Sequence, residues 1–257
     1  MPTIRAFTDD SADPRVRGYL HTPETPNNHA LVLTHGAGSN AQAPLLIALA
    51  DAFCAAGFTV LRCDLPYRQS RSYGPPGPAD AARDRAGLKN AIAAVKNTLG
   101  AAENLGAPLK PGSGLSGNFP SSDPDQSQAR SQIFLGGHSY GGRQSSMLCA
   151  ELSETEPELV SGLLLLSYPL HPPRKPEQQR TQHLPNLHTP TLFVQGTRDP
   201  FATIAEIEQT LKMIPAKTKL LVIEGAGHDL GFKGKARQEE LPALISSEFT
   251  EFFEPQS

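Results

Sequence analysis

An α/β architecture built on a mostly parallel sheet is what this chain predicts, on three observations. Apolar runs of strand length recur with little polar interruption, as in HALVLTH (29–35) and VSGLLLLS (160–167), the pattern of strands buried on both faces. Segments of helical character separate these runs, which calls for crossover connections between parallel strands. The length of 257 residues suits one large domain with room for a buried site.

The elements follow in order. Residues 3–8 and 16–22 read as an opening antiparallel pair, because a turn bearing Pro and Asp divides them. Residues 29–35 form the first buried strand. Residues 44–56 read as a helix stopped by Gly57, and 58–63 (FTVLRC) as the next strand. Over 80–99, Leu88, Ile92, Val95 and Leu99 are spaced by four, three and four, a helix with one apolar face. Residues 108–130 (PLKPGSGLSGNFPSSDPDQSQAR) then interrupt the alternation with Pro, Gly, Ser and Asp and little to bury. Strand and helix resume directly afterwards, so this stretch is expected to be a flexible surface insertion within a single domain over 1–257. Residues 131–136 (SQIFLG) are a strand and 140–152 a helix. Buried strands follow at 160–167 and 191–195 (TLFVQ), with a Pro- and His-containing excursion at 168–189 between them. A helix at 202–213, a last strand at 219–224 (KLLVIE) and an amphipathic helix at 241–253 close the chain.

The formal charge of −3 supplies no basic field for nucleic acid or an anionic membrane. No apolar run approaches the ~18 residues of a membrane span, and the first residues, MPTIRAFTDDSADP, lack the apolar stretch of a secretory signal. Three cysteines, Cys54, Cys63 and Cys149, show no C-x-x-C spacing and read as reduced core residues. The expectation is a cytoplasmic protein with no nucleic-acid or membrane partner.

The chemistry-bearing residues come from position rather than composition. Ser139 lies in G-H-S-Y-G, in the turn between a buried strand and a helix. Such a turn is crowded, and glycine at 137 and 141 removes the Cβ atoms that would clash, leaving the hydroxyl to project above the sheet. A serine hydroxyl needs a base, and the base needs a group to orient it. His228, in E-G-A-G-H-D-L, follows the last strand, and Asp199, in Q-G-T-R-D-P, follows the one before. In a parallel sheet these three loops gather at one edge. Ser139, Asp199 and His228 are therefore the candidate nucleophile, acid and base. The oxyanion of a tetrahedral intermediate requires preorganised N–H donors. Tyr140, next after the nucleophile, and Ala37, in the T-H-G-A-G-S-N loop after the first buried strand, are assigned that role. Asp64 is read as holding its own loop, and Asp229 as too close in sequence to the base to orient it. His35 and His138 belong to no metal-binding spacing, so no metal site is expected; His138 is read as packing beneath the nucleophile turn and His35 as bracing the oxyanion loop.

Taken together, H-G-A-G-S-N, R-C-D-L-P-Y-R, G-G-H-S-Y-G-G-R, S-Y-P-L-H-P-P, G-T-R-D-P and G-A-G-H-D-L resemble the α/β-hydrolase superfamily. More narrowly they resemble its dienelactone-hydrolase-like relatives, in the branch of testis-expressed and chromatin-complex hydrolase-like proteins. The resemblance runs from about residue 30 to 253. It implies an eight-stranded, mostly parallel sheet with helices on both faces, no large cap domain, and a cofactor-free serine hydrolase. Some members of that branch lack the full set of catalytic residues, whereas this sequence retains serine, aspartate and histidine at the matching positions; the insertion at 108–130 departs from the pattern.

The pocket is less legible. Arg68 and Arg71, after the FTVLRC strand, either grip a substrate carboxylate or serve as structural or solvated arginines. Tyr168 and His171, with the rest of 168–173, are expected on the pocket wall. The favoured function is hydrolysis of a small acyl substrate, a carboxylic ester or related compound, through an acyl-enzyme. A non-catalytic interaction scaffold, and acyl transfer or perhydrolysis by the same residues, are the competing readings.

Overall fold

The computed structural model describes residues 1–106, 131–232 and 240–254, with side chains in 101–106 excepted. The expected insertion at 108–130 lies outside the described residues. Eight strands form one sheet: β1 (Thr3–Asp9), β2 (Val16–Thr22), β3 (Ala30–Thr34), β4 (Thr59–Cys63), β5 (Ile133–His138), β6 (Gly162–Leu166), β7 (Thr191–Gly196) and β8 (Thr218–Ile223). Their spatial order is β1-β2-β4-β3-β5-β6-β7-β8. β2 pairs antiparallel with β1 and with β4, and every other pairing is parallel. The mostly parallel eight-stranded sheet is thus as expected.

The helices are α1 (Pro44–Ala55), α2 (Pro66–Ser70), α3 (Asp80–Gly106), α4 (Tyr140–Leu152), α5 (Ile204–Leu211) and α6 (Glu240–Phe253), with a 3-10 turn at Leu184–Asn186. They cover both faces of the sheet, and alternation along each strand sorts the core into two halves. Val32, Leu135, Leu163 and Leu165 face α3 and α4, meeting Leu88, Ile92 and Leu148. Their neighbours Leu31, Leu33, Phe134, Leu164 and Leu166 face α1 and α6, where Phe249 stacks edge-on against Phe53 and Phe134 at 5.1 and 5.0 Å. Each half excludes water from one face, so β3, β5, β6 and β7 carry no polar face at all and read as unbroken apolar runs.

Helix ends follow local chemistry. α1 stops where Gly57 turns to φ +92°, a left-handed geometry that glycine adopts without penalty. α5 starts on a capping box, in which Thr203 and Glu206 each bond the other's backbone N–H. Two short elements, α2 and the turn at 184–186, fall below the length at which periodicity is readable.

Candidate active site

Because β3 and β5–β8 run parallel, the loops after their C-terminal ends share one edge of the sheet, and the site is assembled there. At the β5–α4 turn, Ser139 adopts φ 52° and ψ −116°, a conformation costly for a residue with a Cβ. Its amide donates to Leu166 O at 2.8 Å, and its carbonyl accepts from Arg143 N at 3.0 Å. The crowding expected around it is real. A Cβ on Gly137 would lie 2.7 Å from Gly141 C, and one on Gly141 would lie 2.6 Å from His35 O. Only glycines let β3, β5 and the start of α4 approach so closely.

The structure brings Ser139, Asp199 and His228 together from three loops. His228 Nε2 lies 2.8 Å from Ser139 Oγ, and His228 Nδ1 lies 2.8 Å from Asp199 Oδ2. A carboxylate can only accept here, so Nδ1 carries the proton and Nε2 is free to take one from the serine hydroxyl. The Asp199 carboxylate is fully buried while the imidazole stays 24% exposed, so the carboxylate is shielded and the ring edge faces the cavity. Phe201 N donates to Asp199 Oδ1 at 2.9 Å, and the Phe201 ring lies 4.2 Å from that of His228. His138, beneath the turn, donates from Nε2 to His228 O at 2.7 Å. Burial, and then the neighbouring His228, push the His138 pKa down to about 4, so this second histidine stays neutral and acts on the first through its backbone.

Ala37 and Tyr140 both line the cavity beside Ser139. Tyr140 opens α4, so its amide has no intrahelical acceptor, and the Ala37 amide meets no acceptor among the described residues. Three groups hold the Ala37 loop from behind. His35, kept neutral by burial, donates from Nδ1 to Gly36 O at 2.9 Å and accepts Leu65 N–H at 3.1 Å. Tyr67 donates its hydroxyl to Gly36 O and Ala37 O at 3.2 and 2.9 Å. Arg68 Nη2 reaches Ala37 O at 3.1 Å. Asp64 accepts Ala41 N at 2.7 Å, so it holds the neighbouring loop between β3 and α1 rather than its own.

A residue that sequence reasoning missed links Tyr140 to Tyr67, the tyrosine that holds the Ala37 loop. Asp84 on α3 is fully buried; its Oδ1 accepts Tyr67 N at 3.0 Å and its Oδ2 accepts the Tyr140 hydroxyl at 2.7 Å. Burial raises its pKa, opposed by those two bonds. The signal was present: Asp84 sits four residues before Leu88 on the apolar stripe of α3, where a carboxylate needs buried partners.

The cavity measures about 920 Å³. One wall is apolar, with Pro44, Leu45, Leu46, Phe201 and Phe232, and Pro75, Pro76 and Pro78 shape its rim. None of the four pocket candidates lines the cavity: Tyr168 and His171, expected on its wall, lie elsewhere, and Arg68 and Arg71 take the structural alternative. Arg68 is buried, its guanidinium spent on the carbonyls of Ala37, Ser39, Arg71 and Gly74. Arg71 pairs with Asp80 at the surface and donates to Pro75 O. Tyr168 points into the core, where its hydroxyl meets Ser146 and His183 at 3.3 and 3.2 Å. His171 lies against Glu206 at 3.3 Å. Of residues 168–173 it is Pro169 that reaches the cavity. The polar lining includes Asp229 and also Arg143, Gln144 and Arg180, and the sequence reading selected none of the last three.

Among the described residues no three His, Cys, Asp or Glu side chains gather as metal ligands, and no described helix is long and apolar enough to cross a membrane.

A family described as an alpha/beta hydrolase domain matches residues 118–252, more than half of the chain. The chain belongs to the α/β-hydrolase family. Among solved structures it is similar to dienelactone hydrolase from Anabaena variabilis, with TM-score 0.67 and 20% identity over 97% of each chain. XC6422 from Xanthomonas campestris, described as an α/β serine hydrolase without lid, gives TM-score 0.65 and 14% identity over 99% of this chain and 96% of that one. Est1E from Butyrivibrio proteoclasticus gives 0.59 and 14% over 96% and 98%. At such identities the likeness is one of fold, and it extends over nearly the whole length of this α/β-hydrolase.

Proposed function

We propose that this α/β-hydrolase is a serine hydrolase that cleaves a carboxylic ester or related acyl bond through a covalent acyl-enzyme. The observation that carries the reading is the chain of two 2.8 Å contacts from Ser139 through His228 to Asp199, in a cavity that Ala37 and Tyr140 also line. In this scheme Ser139 Oγ attacks the carbonyl carbon while His228 Nε2 takes its proton, and Asp199 holds the imidazole tautomer and stabilises its charged form. The oxygen that gains negative charge accepts from the N–H groups of Ala37 and Tyr140, donors of a kind commonly worth about 3–4 kcal/mol of barrier each. His228 returns the proton to the leaving oxygen. Water, deprotonated by the same imidazole, then releases the acid and restores the serine. The apolar wall favours substrates with a hydrocarbon portion.

The sequence of 167–173 supports placing the chain in the testis-expressed and chromatin-complex branch, and three free, buried cysteines support a reducing, cytoplasmic setting; both are part of the proposal. The test is fluorophosphonate labelling of folded protein, followed by activity on 4-nitrophenyl esters, thioesters and lactones. Labelling at Ser139, with turnover abolished in Ser139→Ala, is expected. An unlabelled Ser139 would overturn catalysis and leave an interaction scaffold.

A further inference from the structure

We propose that Arg143, Arg180 and Gln144 form an anion subsite in the active-site cavity, which takes a carboxylate carried by the substrate a few bonds from the scissile ester. The inference rests on the hydrolytic reading above and names the substrate class for it.

Arg143 lies four residues beyond Ser139, its amide bonded to Ser139 O, so it stands one helical turn, about 6 Å, along α4 from the nucleophile. Its Nε is buried without a hydrogen-bond partner. Gln144, fully buried, gives its Oε1 to Arg85 at 3.0 Å, while its Nε2 has no partner. An amide whose oxygen is taken has only donors left to offer. Arg180 comes to the same cavity from the excursion between β6 and β7. No carboxylate pairs with Arg143 or Arg180 among the described residues. Arg85, which holds the Gln144 oxygen, has its own carboxylate in Glu151 at 2.9 Å.

Half-buried guanidinium groups without partners are costly, and here two are close enough to repel. Burial and then the charge of Arg143 lower the Arg180 pKa. The two titratable groups beside them, His183 and Tyr168, provide no compensating negative charge. His183, bonded to Ser146 Oγ at 2.8 Å, is held neutral, its pKa pushed down to about 4 by burial and by Arg143 and Arg85. The Tyr168 hydroxyl, in reach of both arginines, stays protonated because burial raises it to about 12. A bound anion resolves this arrangement. The planar fork of each guanidinium suits a carboxylate, and the Gln144 amide adds a neutral donor. With apolar side chains also lining the cavity, the fitting substrate is an ester with one charged arm and one hydrocarbon arm.

The experiment compares kcat/KM for mono-4-nitrophenyl adipate and 4-nitrophenyl hexanoate, which carry or lack a carboxylate on the acyl side. 4-Acetoxybenzoate against phenyl acetate tests the leaving-group side. In at least one pair the anionic ester is expected to be preferred tenfold or more, the preference shrinking with added salt. Arg143→Gln and Arg180→Gln should each reduce that ratio at least tenfold; Arg180, outside the regular elements, serves as the second variant should Arg143→Gln fold poorly. Separately, Ser139→Ala protein should bind monomethyl adipate calorimetrically, and the added Arg180→Gln change should abolish binding. Hydrolysis without preference in either pair, or a ratio that both arginine variants leave intact, overturns the subsite. Binding without hydrolysis of any ester overturns the catalytic reading and supports the subsite. Neither binding nor turnover overturns both.

Discussion

Two sides of one cavity use arginine in opposite ways. On the side of β3 and β4, Arg68 is buried with its guanidinium spread over four backbone carbonyls, and together with Tyr67 and His35 it makes a fixed frame for the Ala37 loop. On the side of α4, Arg143 and Arg180 reach the cavity with no carboxylate partner among the described residues. The first arrangement is finished before any ligand arrives; the second is completed only by one. The difference lies in what surrounds the residue, since the two kinds of arginine look alike in a sequence. A saturated guanidinium sets shape, whereas an unsaturated one selects charge.

The largest effect that separates the two sides belongs to Arg68→Met. Three carbonyls would lose their donor and Ala37 O would keep only the Tyr67 hydroxyl, and about 3 kcal/mol of stability should go with them, read by urea denaturation, along with most of the ester cleavage. A loss below ~1 kcal/mol would mean that the frame does not depend on Arg68. Next comes Asp84→Ala, which strands the Tyr67 N–H and the Tyr140 O–H. It should cost about 2 kcal/mol and lower kcat more than it alters KM, whereas Asp84→Asn, which keeps one carbonyl acceptor, should recover much of the loss. Equal damage from both variants would count against the proposed link.

Acid provides a test of both sides at once, because His138 lies under the nucleophile turn and His183 beside Arg143. Both have pKa values lowered from 6.5 to about 4, so between these values the unfolded chain binds more protons than the folded one. Stability contributed by neutral burial is then complete above pH 6.5 and falls as the pH drops toward 4. By pH 5.5 each histidine should have cost up to about 1.4 kcal/mol. Thermal midpoints measured from pH 7.5 to 4.5 would show the decline, and His183→Gln should flatten part of it. A level profile in the native protein would contradict the neutral state of both. The smallest effect is expected from Arg71→Gln. Its ion pair with Asp80 is exposed, so stability should change by less than ~1 kcal/mol, and the ratio of anionic to neutral ester cleavage should not move. A shift in that ratio would return Arg71 to the cavity wall.

Much of the fold was legible because parallel strands buried on both faces leave unbroken apolar runs, and β3, β5, β6 and β7 each registered within two residues of their ends. The convergence of Ser139, Asp199 and His228 was legible for a related reason. Strand direction alone sends the loops after β5, β7 and β8 to one edge. The pocket was misread because its walls depend on contacts distant in sequence. Tyr168 turns inward to Ser146 and His183, and His171 to Glu206, and no local pattern around S-Y-P-L-H-P-P indicates either. Arg143 was passed over because a charged residue on the first turn of a helix is ordinarily solvent-facing. Asp84 was overlooked for the converse reason, as attention went to the leucines of its stripe.

Asp84 has one further implication. Since a single carboxylate on α3 ties down both the tyrosine beside the nucleophile and the tyrosine behind the Ala37 loop, the two amides are geared to the same shaft. Any slide or rotation of α3 reaches them together, so the pair keeps its spacing or loses it as a whole. Adjusting one donor independently of the other would have to begin by cutting that gear.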